Sequence, residues 1–266
     1  MSLVIKRYYL LLKVFMKNCI IRDLEFRMNF VTNLLTDFVF NILKIFFIEL
    51  IFLNTPEVAG FNKYQMIFIF GTSFIILSVY MTFVFFNHIR IPMAIQNGEF
   101  DFALVKPMST VFLLSFRYFN IAGIGSGLFG IYLVGLSFYK LNMQFDILSV
   151  VLYLVLLISG FLVYYSLSLI LYTFSFWTVK TGNFINVMVD MGEIMKYPVG
   201  LFPKSVQLIL SFIVPLFMVA SYPSAIFLGK LPTSFTIINL LVSLVFLSIS
   251  ISFIRYASKC YSSAGG

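Results

Sequence analysis

The stretch IQNGEFDFALVKPMS, residues 95–109, stands between two long apolar runs. It holds Asn97-Gly98, two acids, a lysine and a Lys-Pro step. Gly98 suits a bend, and Pro107 suits a helix start or stop. Glu99 and Asp101 sit where a short helix would begin, which favours its positive N-terminal end. Phe100, Phe102 and Leu104 offer apolar contacts. A short amphipathic helix and a solvated loop both fit these residues. What flanks the stretch decides the fold class.

The 266-residue chain is 61% hydrophobic and 11% charged, with mean hydropathy +1.02. Soluble domains carry roughly a quarter charged residues. The chain is therefore read as an all-α membrane protein, with room for about six spans of roughly 20 residues. The spans are expected at about 29–53, 65–87, 111–138, 147–176, 205–228 and 235–255. Loops are expected at 88–110, 139–146 and 177–204, and Pro215 and Pro223 should bend the fifth span. One domain covers 1–266: an interfacial segment 1–28, a six-span bundle 29–255 and a tail 256–266.

Residues 3–22 carry Lys6, Arg7, Lys13, Lys17 and Arg22. Ile5, Tyr8, Tyr9, Leu12, Phe15, Met16 and Cys19 share one helical face, which predicts an amphipathic helix in the membrane interface. A cytoplasmic extension of the first span is the other reading. With the N-terminus inside, thirteen Lys and Arg fall in inner segments, against Lys63, Lys140 and Lys230 outside. The positive-inside rule then places both termini in the cytoplasm. The net charge of +8 is assigned to lipid and orientation, with no nucleic-acid partner. Cys19 and Cys260 imply no disulfide framework.

Within the first span, Asn29, Asn33, Asp37, Asn41 and Lys44 form one stripe. Intramembrane charges usually face a bundle interior or a watery cavity. A substrate path and a helix–helix polar contact both fit. Arg117, early in the third span, is read either as a further substrate-path or polar-contact residue or as reaching the surface or a lipid phosphate by snorkelling. Gly123, Gly127 and Gly130 follow at small-residue spacing, which suits close helix packing. There is one histidine, His88, and no HExxH, CxxC, GxSxG or P-loop pattern. Zinc, thiol, serine-hydrolase and P-loop chemistry have no carrier here, so no catalytic residue, metal ligand or cofactor is assigned to this chain.

Several segments taken in order resemble the permease subunits of ABC-2-type transporters: the basic N-terminal helix, NGEFDFALVKPMS (97–109), YPVGLFPKSVQLILSFIVPLFMVASYP (197–223) and RYASKCYSSAGG (255–266). The likeness is to a bacterial subfamily of six-span permeases. Its loop after span two reads G-x-L/F-D-x-x-L-x-[RK]-P, which Gly98, Phe100, Asp101, Leu104, Lys106 and Pro107 match. The resemblance implies a half-transporter in the bacterial cytoplasmic membrane, working with a second related permease and a cytoplasmic ATPase dimer that binds ATP and magnesium. It implies that 95–109, Glu99 included, form the ATPase-coupling segment, and that export is the direction. An ion- or proton-coupled carrier built on Asp37 and Lys44 is the alternative, with a membrane enzyme or scaffold behind it.

Overall fold

The computed structural model describes residues 2–25, 27–144, 146–178 and 181–261, without the side chains of residues 2–4, 24, 27 and 29. The described residues are helical, with no strand beyond one isolated bridge between Val58 and Phe61. The helices are α1 (Ser2–Glu25), α2 (Arg27–Asn54), α3 (Lys63–Tyr80), α4 (Phe86–His88), α5 (Ile91–Gln96), α6 (Phe100–Val105) and α7 (Thr110–Phe116). Then come α8 (Gly123–Lys140), α9 (Ile147–Thr173), α10 (Phe184–Ile194), α11 (Lys204–Leu208), α12 (Ser221–Phe227) and α13 (Phe235–Cys260).

Among the described residues, three helical stretches are long and apolar enough to cross a membrane: Lys63–Gln96, Ile147–Phe176 and Phe235–Cys260. The first is the hub, since 72% of its apolar window is buried against 33% and 22% for the others. It opens with a capping box, in which Asn62 and Gln65 each accept from the other's backbone N–H. A π-helical turn, Met81–Phe85, carries it on into α4. Asp146 caps α9 by accepting from the backbone N–H groups of Leu148 and Ser149.

Small residues set the packing distances. A Cβ on Gly130 would lie 2.7 Å from the carbonyl oxygen of Gly71, and one on Gly123 2.7 Å from Thr82 Oγ1. Gly127 sits equally close to Ser78. These three glycines of α8 thus lie against α3 and its π turn. Gly160 of α9 meets the Val219 carbonyl, too close for any side chain.

The structure corrects three sequence expectations. The stretch 111–138 is not one helix, because α7 ends at Phe116 and α8 begins at Gly123. Asn87 holds the break: its Oδ1 accepts from the N–H groups of Arg117 and Tyr118, while its Nδ2 donates to the carbonyls of Phe83 and Tyr118. Those bonds satisfy backbone groups that a broken helix leaves free.

The stretch 177–204 is not a loop. Phe184 packs 6.0 Å from the Tyr172 ring, and the Met188 carbonyl accepts from Tyr164 Oη at 2.8 Å. Further on, Tyr197 packs 5.7 Å from Phe70, and a Cβ on Gly200 would lie 3.3 Å from Ala59 Cβ. Read in order, residues 184–200 climb from one end of the bundle to the other.

The expected fifth span, 205–228, is instead a helical hairpin that enters and leaves at the same end. α11 and the π turn Ile209–Ile213 lead in, residues 214–220 are non-helical, and α12 leads out. Lys230 Nζ donates to the Gly60 carbonyl at 2.9 Å, close to where Gly200 meets Ala59. The tip is fixed by Asn239 Nδ2, which donates to the Met218 carbonyl at 3.1 Å. Pro215 lies in the break, whereas Pro223 is tolerated in the first turn of α12. Lys204 therefore lies beyond the climbing segment, at the end shared with Lys63 and Lys230, and Lys196 lies inside the bundle.

Gly160→Ala should lower stability by about 1–3 kcal/mol, because the Val219 backbone must move. Gly135→Ala, which meets nothing within 4 Å inside α8, should leave it unchanged or raise it by up to about 1 kcal/mol. Thermal unfolding of both variants in one detergent checks this; equal midpoints would contradict the packing described.

Candidate functional site

A cavity of about 500 Å³ lies between α2, α3, α8, α9 and α10. Asn33, Asp37, Asn41 and Lys44 all line it, four of the five residues of the polar stripe on α2. The fifth, Asn29, has its side chain outside the described residues. Asn41 Nδ2 donates to Ser126 Oγ of α8 at 2.9 Å. Lys44 Nζ donates to Glu193 Oε1 at 2.7 Å, and Lys196 Nζ to the same oxygen at 2.6 Å. One carboxylate oxygen thus serves two ammonium groups. The Lys196 side chain is 3% exposed, while Glu193 is 44% exposed. Asp37 lies two turns before Lys44 on the same helix, roughly 10 Å along its axis. Phe40, Phe74, Phe85, Tyr80 and Tyr164 supply aromatic walls. The cavity therefore offers separated charges of both signs on an aromatic surface.

The other predicted residues lie at the end of the bundle that holds both described termini. Tyr8 of α1 packs 4.7 Å from Phe112 and accepts from the Ser109 N–H. Tyr261, just after α13, packs 5.0 Å from Phe100. Gly98 has φ +72° with open space around it, so the backbone, and not crowding, calls for glycine there. Glu99 precedes α6 and Asp101 lies in its first turn. Phe100 is fully buried between Phe176 and Tyr261. Phe102, Leu104, Val105, Lys106 and Pro107 are exposed. α6 is thus a short helix anchored by one ring and presenting an apolar tip. Arg117 does not line the α2 cavity: it lines a cleft beside α7 together with Glu99, Phe100 and Lys106 of the α6 group.

The profile of the family described as "ABC-2 family transporter protein" matches residues 38–265. The chain belongs to the ABC-2 transporter family. No curated protein and no solved structure matches it. Members of this family are membrane-embedded transport subunits, not themselves catalytic. A membrane location follows, in keeping with the three long apolar helices.

In this ABC-2 chain the sequence reading missed the α2 partner that matters most, Glu193, and the Lys196 that shares its oxygen. Glu193 and Lys196 fall in the stretch taken as a loop. A signal was present: FINVMVDMGEI (184–194) places Phe184, Val187, Met188, Met191 and Ile194 on one helical face. The Glu193–Lys196 spacing also suits an i,i+3 pair.

Glu193→Gln removes the acceptor that two ammonium groups share and leaves Lys196 buried without a carboxylate. It should cost about 1–3 kcal/mol. Adding Lys196→Met should recover much of that loss, because the stranded charge goes with it. Thermal unfolding of the single and double variants decides; additive losses would contradict a shared-oxygen cluster.

Proposed function

We propose that the chain is one permease half of an ATP-driven exporter in the bacterial cytoplasmic membrane, with both termini in the cytoplasm. A cytoplasmic ATPase dimer binds ATP and magnesium and supplies the work. Membership of the ABC-2 family is the observation that carries this reading.

The motor grips the exposed part of α6. Phe102, Leu104 and Val105 form its apolar tip, with Glu99, Asp101, Lys106 and Pro107 around it. Phe100 links that tip to the ends of α9 and α13 through Phe176 and Tyr261. Closure of the ATPase dimer favours one position of α6 and so biases the helices it is tied to, a population shift driven by differential binding.

The substrate passes along α2. Asp37 is exposed on that helix, and so are large apolar residues on its other faces. A charged residue in this position does not face lipid. A second permease chain, related but not identical, covers the polar face and completes the cavity wall. Asn33, Asp37, Asn41 and Lys44 then line a shared path.

The test is affinity purification from native membranes in mild detergent. A soluble P-loop ATPase should co-purify with the chain, together with a second permease. Glu99→Lys/Val105→Glu should cut ATPase recovery at least about tenfold, a loss of about 1.4 kcal/mol in docking. Undiminished recovery from that variant would contradict α6 as the grip, and a chain that purifies alone would contradict the motor reading.

A further inference from the structure

The cleft that takes Arg117 has no part in the path described above. It is about 310 Å³ and lies between α5, α6 and α7, at the end of the bundle holding the termini. Arg90, Lys106 and Arg117 line it against a single carboxylate, Glu99. The Arg90 guanidinium carbon stands 3.8 Å from the Tyr118 ring centre, and that of Arg117 stands 5.1 Å from the same ring. Tyr118 thus contacts both guanidinium groups that line the cleft. Among the described residues, none of the three cations has a carboxylate within salt-bridge distance. The walls between them are apolar, with Met93 and Phe102 exposed at the cleft.

Converging cations repel unless an anion sits among them. A planar guanidinium fork suits a phosphate, and two of them line this cleft beside Lys106. The apolar walls suit the chain that follows a lipid phosphate. We propose that this cleft binds the phosphate of an anionic phospholipid headgroup, whose acyl chains leave along Met93. A bound lipid would bridge α5, α6 and α7 and so set the rigidity of α6. The inference rests on the membrane location of this ABC-2 chain and does not depend on which partner grips α6.

The test uses native mass spectrometry of the full chain in detergent with added phosphatidylglycerol or phosphatidylcholine. The wild-type chain should retain phosphatidylglycerol in at least about tenfold preference. Arg90→Gln/Arg117→Gln should lose that preference, while Lys140→Gln, at the far end of α8, should keep it. If the double variant does not fold, Lys106→Gln, at an exposed position, should still weaken retention severalfold. Arg90→Lys/Arg117→Lys, which keeps the charge and loses the forks, should fall between. Equal retention by wild type and variants would overturn the proposal. Displacement of the lipid by millimolar inorganic phosphate would overturn the lipid as source in favour of a free anion. Loss of a co-purifying protein from the double variant with lipid retention intact would overturn it in favour of an acidic protein surface.

Discussion

Gly71 and Gly130 bring α3 and α8 together nearly backbone to backbone, and the rest of the bundle is arranged around that approach. A Cβ on either residue would fall under 3 Å from the other's carbonyl oxygen. Lipid tails are as apolar as leucine, so helices in a bilayer gain little from mere burial and depend on close contact. α3 is the helix for which this matters most. It touches α2, α8, α9 and α12, and its far end runs through α4 and α5 toward α6. A shift of α3 against α8 would therefore be felt both at the cavity and at α6.

The same constraint explains where polar residues appear. Hydrocarbon offers no water to a free backbone group, so each helix break needs a local partner. Asn87 serves the break between α7 and α8, and Asn239 serves the tip of the hairpin before α13. Glu193 joins α10 to α2 by accepting from Lys44, and accepts from Lys196 of its own segment as well. The α2–α10 contact is thus ionic, whereas α3–α8 is a close backbone approach.

Much of this was legible from the sequence, and what was not has a physical reason. The apolar runs of α3, α9 and α13 are long enough to identify themselves. The stripe on α2 is evident because Asn33, Asp37, Asn41 and Lys44 repeat at helical spacing. Gly98 signalled a backbone bend through its residue type. The climb of residues 184–200 was hidden because α10 has only eleven residues and carries Asp190 and Glu193. The break at Phe116 was hidden because its cause, Asn87, lies on another segment. The hairpin of 204–228 has the apolar content of a span, and it is disclosed by contacts distant in sequence, those of Gly200 and Lys230 at its two ends with residues 59 and 60, and those of its tip with residues 160 and 239.

The most direct test of this account is which side of the membrane each turn occupies. Cysteines placed singly at Leu201, Lys230 and Val105, in a chain with Cys260 replaced by serine, can be probed with an impermeant maleimide on intact cells. The account predicts labelling at 201 and 230 from outside, and at 105 only after the membrane is opened. Labelling of 201 together with 105, and apart from 230, would mean that 184–200 does not cross and that 204–228 does, contradicting the fold and the site built on it.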